Sequence, residues 1–289
     1  MNLLVDAGAT KTSWTAFYGN YNAEITTGGI NVAHMDERTI DGTVREAVHG
    51  LTVTVPAFDR FGCRPERIFF YAAGLVGKID SPVPESARVL DGVMRKYFPD
   101  AEIEYASDLV GAARAACGHE EGIAAIIGTG ANTCQFDGRR IVRQIPCGGF
   151  IIGDEGSAAV LGKRFITDFL KDQMPAELSG DFASSFKVDY PTIVKEVYKG
   201  DAPAGYLGSF APYILSKIDI PYVRELVEDN FKGLFERAIL RYDRLPVGVV
   251  GGFGCACKDI LTRMGSGYGV KFSRFIRSPK EGLLKYHGV

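Results

Sequence analysis

The feature that most constrains this fold is an order of elements that occurs twice. Near the start, the apolar run "LLVDA" enters a small-residue turn, "GAT", and leaves it through "KTSWTAFY". Trp14, Thr15, Phe17 and Tyr18 are β-forming residues and Gly19-Asn20 is a hairpin signal, so strands are predicted at 2–7, 12–18 and 22–28. A helix follows from Asp36, with Ile40, Val44, Val48 and Leu51 at helical spacing. Then come the strand "RIFFYAAGL", a helix opened by Pro84 with Val89, Val93 and Tyr97 on one face, the strand "EIEYAS" and a helix from Asp108 to Cys117. The pattern restarts with "GIAAIIGTGANTCQF", a strand, a glycine turn and a strand, and "DGRR" turns into a third strand, "IVRQIP". A helix through "GSAAVLGKRFITDFL", an amphipathic helix near 222–241, the strand "PVGVVGG", a helix from Cys257 to Met264, the strand "VKFSRFI" and a helix from Pro279 complete the chain. Matching the two turns sets Thr12 on Thr133, and the letters barely agree, so the repeat is one of element order.

This order predicts an α/β protein of two units, 1–116 joined by a closing helix at 279–289, and 117–278. Residues 172–221, rich in Pro, Gly, Ser and Asp, read as a helical insertion in the second unit. Two such units side by side leave a cleft, where a ligand is expected with one glycine turn on either side.

A net charge of −2 gives no reason to expect nucleic acid or a membrane surface as partner. No run of eighteen apolar residues is present, and Asp6 interrupts an N-terminal stretch that no basic residue precedes, so neither a membrane span nor a signal peptide is expected. Six cysteines and four histidines show no Cys-x-x-Cys and no metal-ligand spacing. The cysteines read as buried small hydrophobes in a cytoplasmic protein, with Cys255-Ala-Cys257 the one close pair.

The first turn suggests phosphate without being a Walker A loop, because Thr10 and not glycine precedes Lys11 and a strand follows. Gly8 lets backbone amides approach an anion, and Thr10, Lys11 and Thr12 add side-chain donors. Asp6 would repel phosphate directly and is expected to hold Mg²⁺ or its waters; a plain hairpin with a surface lysine is the equally weighted alternative. Gly128-Thr129-Gly130 is weak alone and stronger at the matching point of the repeat. Gly251-Gly252 reads either as a strand-to-helix packing turn or as a bare surface for adenosine. Asp108 ends a strand and opens a helix, the position of an N-cap and also of a general base at the carboxyl end of a sheet. Asn31 reads as a turn residue or a ligand contact. Asp154 and Glu155, between glycines before a helix, favour the helix dipole or accept bonds from sugar hydroxyls.

In this order, "DAGATKT", "SD" at 107–108, "GTGAN", "GDEGSA" and "GG" at 251–252 resemble the BadF/BadG/BcrA/BcrD-type ATPases and the N-acetylglucosamine kinases of the sugar kinase–actin–heat-shock ATPase superfamily. The resemblance spans nearly the whole chain. It implies two ribonuclease-H-like (actin-like ATPase) domains with an interdomain cleft, the last helix crossing back onto the first. It also implies that Thr10 and Thr129 bind ATP phosphates, Gly252 lies by the adenosine, Asp108 is the base, and Asn31, Gly149 and Asp154 meet the sugar; Asn132 of "GTGAN" and Glu155 are taken as substrate-facing with them. The expected reaction is Mg²⁺- and ATP-dependent phosphorylation of an N-acetylated amino sugar, N-acetylglucosamine before N-acetylmuramic acid. Ala7 and Ala9 stand where the family often has glycine, Ala131 replaces a frequent serine, and "GGFIIGDEG" is shorter than the usual segment, which leaves the exact sugar open. Two rival readings are a dehydratase-activating ATPase with an iron–sulfur cluster bridging a dimer, and a non-catalytic sugar or nucleotide sensor. The oligomeric state stays open, a homodimer included.

Overall fold

The computed structural model describes residues 1–8, 11–19, 21–33, 35–55, 58, 64–75 and 84–288. Ala9, Thr10, Asn20, His34 and Cys63 therefore lie outside the described residues. The chain divides into two compact units: Met1–Glu120 with Asp137–Arg140 and Pro279–Val289, and Glu121–Phe136 with Ile141–Ser278.

The first unit holds a five-stranded mixed sheet of order β3-β2-β1-β4-β5, made of β1 (Asn2–Ala7), β2 (Lys11–Tyr18), β3 (Tyr21–Gly28), β4 (Arg67–Ala72) and β5 (Glu102–Ser107). The first three strands are antiparallel neighbours, because short turns join them; β1, β4 and β5 run parallel, because helices carry the chain between them. In the parallel register Ala7, Ala72 and Ser107 lie level, so three carboxyl ends form one rim. One face of the sheet, with Val5, Trp14, Phe70 and Tyr105, packs on the Glu37–Thr54 and Arg88–Tyr97 helices. Ile40, Val44 and Leu51 are buried as their spacing predicts, and Val48 packs on the same core. Val89 is 50% exposed and does not share the buried face, which is formed instead by Leu90, Val93 and Met94. A short 3₁₀ turn at Glu85–Ala87 precedes that helix, so its face is rotated from the one counted from Pro84.

The opposite face carries Phe69 and Tyr71, and the Lys280–Tyr286 helix closes over it. His287 stacks on Phe69 at 3.6 Å, and a Cβ at Gly282 would lie 2.4 Å from the Ala115 carbonyl oxygen, so only glycine permits this approach to the Asp108–Cys117 helix.

The second unit repeats the arrangement as β10-β9-β6-β7-β8, from β6 (Glu121–Ile127), β7 (Ala131–Asp137), β8 (Ile141–Ile145), β9 (Val247–Val250) and β10 (Phe272–Ile276). Strand ends match at Ala7 with Ile127 and Lys11 with Ala131, so Thr12 corresponds to Asn132, one residue from the match drawn from the two turns. The insertion is helical, at Ala176–Phe186, Tyr190–Lys199, Pro203–Gly208 and Ala211–Ser216. It docks where a Cβ at Gly162 would come within 1.9 Å of the Leu207 carbonyl.

Candidate functional site

In the first unit the chemistry gathers on the carboxyl rim of β1, β4 and β5. Asp6 lies one residue before the end of β1 and Asp108 one residue after the end of β5. Ser107, not Asp108, caps the Asp108–Cys117 helix: its Oγ accepts from the Val110 N–H at 3.2 Å. Asp108 is thus the first helical residue, with Oδ1 accepting from the Leu109 N–H at 2.8 Å and capacity left on the carboxylate. Burial pushes its pKa up, against the pull of that N–H and its own. Burial likewise raises Asp6, to about 6, helped by the charge of Asp108 and opposed by Lys11.

Lys11 is exposed, and its carbonyl closes the first turn by accepting from the Gly8 N–H at 2.9 Å. The Thr12 hydroxyl is buried and finds no hydrogen-bond partner among the described residues. Asn31 is brought to the exit of β4, where its Oδ1 would lie 2.7 Å from a Cβ at Gly74; that oxygen accepts from the Ala33 N–H, which leaves the amide donors for a ligand.

The second unit builds its site around Asp154. This residue adopts φ +55°, uncommon for a side-chain-bearing residue, and its N–H donates to the Cys147 carbonyl at 2.8 Å. Gly153 is required beside it, since a Cβ there would stand 1.8 Å from the same carbonyl oxygen. Burial raises the Asp154 pKa, while the Ala131 N–H, the Cys147 thiol and the Gly149 N–H donate to its carboxylate and hold it down. Gly149 therefore serves Asp154 through its amide. Gly130 lies against the same carboxylate, 2.9 Å from Oδ2 to a hypothetical Cβ.

The glycine turn at 128–130 is anchored on the helix that follows Asp154. Its Gly128 and Thr129 carbonyls accept from the Ala158 and Ala159 N–H groups at 2.9 and 3.0 Å. Those helix N–H groups are consumed, so the turn itself, not the helix start, is left to face a ligand. Gly251, at φ +129°, sits against Ile127 and Gly128; Gly254 packs on Val249 and Ile127; Gly252 alone opens onto free space. The bland and functional readings of "VVGGFG" thus divide between its glycines.

Asn132, Asp154 and Glu155 line one cavity of about 160 Å³, with Cys147, Gly148, Ile152 and Arg237. Two residues that sequence reasoning did not single out support it. Arg237 donates to Glu155 at 3.0 Å. Asn230 is buried, accepting from the Gly156 N–H at 3.1 Å and donating to the Ser157 carbonyl at 3.0 Å. Both lie on the Pro221–Arg237 helix, far along the chain from "GDEGSA", and only a buried polar residue at a core position of that helix could have hinted at Asn230.

Among the described residues no group of three or more His, Cys, Asp or Glu could hold a metal alone, and no helix is long and apolar enough to cross a membrane. Asp6 nonetheless suits Mg²⁺, which needs one or two carboxylates and takes its remaining ligands from phosphates and water; a buried, proton-seeking carboxylate coupled to a second one is the group such a cation would relieve. Cys257 does not suit an iron–sulfur cluster: it is buried and its thiol is pushed up to about 12, whereas the ligand form is the thiolate.

No protein-family model matches the sequence, and neither does any curated protein. Solved structures do. The putative N-acetylglucosamine kinase from Porphyromonas gingivalis is 36% identical over 99% of this chain and 98% of its own, with a TM-score of 0.89. A putative N-acetylglucosamine kinase from Chromobacterium violaceum is 19% identical, with 99% of each chain covered and a TM-score of 0.73. A glucokinase from Streptomyces griseus, solved with glucose and AMPPNP, is 15% identical over 99% of this chain and 97% of its own, at 0.53. The latter two share the fold. By the full-length likeness to the first, the chain belongs to the N-acetylglucosamine kinase-like family.

Proposed function

We propose that this protein is an ATP-dependent kinase that phosphorylates a primary hydroxyl of an N-acetylated hexosamine, N-acetylglucosamine first among them. The observation that carries this reading is the placement of Asp108: it is raised by burial, released from capping by Ser107, and electrostatically coupled to Asp6 on the same strand rim.

Asp108 accepts the proton of the sugar hydroxyl as the hydroxyl oxygen attacks the γ-phosphorus; the bond from that phosphorus to the β–γ bridging oxygen breaks, and ADP leaves. Its raised pKa makes it a stronger base than an exposed aspartate. Asp6 holds Mg²⁺, which when bound offsets the charge of the transferring phosphoryl group. Phosphoryl transfer is mainly positioning and electrostatics, so Thr10, Lys11 and Thr129 are assigned to the ATP phosphates. Gly252 leaves room for the adenosine. Asn31, Asn132, Asp154 and Glu155 fix the sugar through its hydroxyl and amide groups. The protein is expected to act in the cytoplasm, alone or as a homodimer.

Assays with Mg-ATP across glucose, glucosamine, N-acetylglucosamine, N-acetylmannosamine and N-acetylmuramic acid test the reading. N-acetylglucosamine is expected to give the highest kcat/KM. Turnover of none of these sugars would overturn it in favour of a sensor.

A further inference from the structure

The cavity of the second unit has an unequal charge count. Its ionisable lining consists of Asp154, Glu155, Cys147 and Arg237, two carboxylates facing a single guanidinium. That guanidinium is already engaged. Arg237 NH1 donates to Glu155 Oε1 at 3.0 Å, and the Glu155 stem rests on Gly233, where a Cβ would come within 3.1 Å of Cγ and 3.2 Å of Cβ. Gly233 and Arg237 are one turn apart on the Pro221–Arg237 helix, so one bare position seats the glutamate and the next turn clasps its head.

Resting on the kinase reading above, we propose that the Glu155–Arg237 pair is a charge filter that admits uncharged N-acetylhexosamines and rejects sugars carrying a carboxylate. Arg237 alone would be a carboxylate receptor, since its fork of donors matches that group. Held by Glu155, it offers no net positive charge, and an entering anion meets Asp154 and Glu155 instead. Gly233 is part of the filter because a side chain there would press on Glu155 Cγ and Cβ and shift them by a few tenths of an ångström. Discrimination therefore comes from a repulsive element as much as from contacts with the preferred sugar.

The test separates charge from bulk by comparing N-acetylmuramic acid with its uncharged carboxamide, which has the same lactyl ether, and both with N-acetylglucosamine. In the wild type, kcat/KM for the carboxamide is expected to exceed that for the acid by roughly a hundredfold, as an anion set against like charges is disfavoured in binding. Glu155→Gln should shrink that ratio about tenfold or more by lowering KM for the acid, and Glu155→Gln combined with Arg237→Gln should restore it. Gly233→Ala, which leaves every ionisable group in place, should shrink it in the same direction, and it keeps the test decisive if the Glu155 variants fail to fold. Acid and carboxamide used equally by the wild type would overturn the filter while leaving the kinase reading intact, as would an unchanged ratio in Gly233→Ala or in a folded Glu155→Gln. Turnover of no amino sugar by the wild type would overturn both.

Discussion

Asp108 raises the pKa of Asp6. The two residues belong to different strands, β1 and the end of β5, with β4 between them, yet the level register of the parallel strands brings both to one rim. Burial is the larger cause and the charge of Asp108 adds to it, so Asp6 stands at about 6. Four expectations rest on this rim and on its counterpart in the second unit.

Asp108→Asn removes the base while keeping the side chain's size and its bond to the Leu109 N–H. Turnover should fall by roughly 10²–10⁴-fold with little change in sugar or ATP binding. Near wild-type kcat would show that Asp108 does nothing beyond shaping the helix start.

Asp6→Asn should raise the Mg²⁺ concentration needed for half-maximal activity and reduce kcat, leaving sugar affinity without nucleotide unchanged. Stability should move the other way in the ligand-free protein. The folded pKa of about 6 exceeds the ordinary aspartate value of 3.8, so the folded state holds the proton more tightly than the unfolded one. This contribution is favourable at low pH and is lost as pH rises from about 4 to 6, a difference on the order of 3 kcal/mol. Melting curves should therefore show Asp6→Asn more stable than wild type at pH 7.5, with the gain vanishing near pH 4. A loss of stability at pH 7.5 would mean that a cationic partner holds Asp6 in the free protein.

Asp154→Ala should raise KM for the sugar more than for ATP. It should also cost stability by about 1–3 kcal/mol, because alanine tolerates φ +55° poorly and the donors from Ala131 and Gly149 lose their acceptor. Asp154→Asn should retain most of the stability, since asparagine tolerates this backbone conformation. Equal effects on both Michaelis constants would show that Asp154 supports the glycine turn and not the sugar.

Asn230→Ala should destabilise by about 2–4 kcal/mol, as the Gly156 N–H and Ser157 carbonyl each lose a buried partner. Sugar KM should rise with it, because Gly156 follows the acidic pair. Chemical denaturation and steady-state kinetics on the same sample check both parts, and a stable variant with unchanged KM would remove Asn230 from the support of the site.

How much of this was legible in the chain can be followed residue by residue. The strands at 2–7 and 102–107 fall where their alternation and end signals place them, and the helix from Asp36 is capped by that residue's carboxylate on the Thr39 N–H at 2.9 Å. Such signals are local: a side chain and a backbone group three residues away decide them. Asp108 and Ser107 show where local reading stops. Both can cap a helix, and the sequence does not say which does; the end of β5 places Ser107 Oγ on the Val110 N–H and leaves Asp108 as the first helical residue.

By itself, the sequence determined the doubled element order, the two turns, and the residue types suited to phosphate, metal and sugar, because glycine, alternation and helical spacing act within a few residues. Only the tertiary structure decided what those residues meet. It buried the Thr12 hydroxyl, coupled Asp6 to Asp108 across β4, surrounded Asp154 with donors from Ala131, Cys147 and Gly149, and brought Asn230 and Arg237 from a distant helix to the acidic motif. Burial and Coulombic coupling depend on distance in space, and that distance is set by strand register and helix packing.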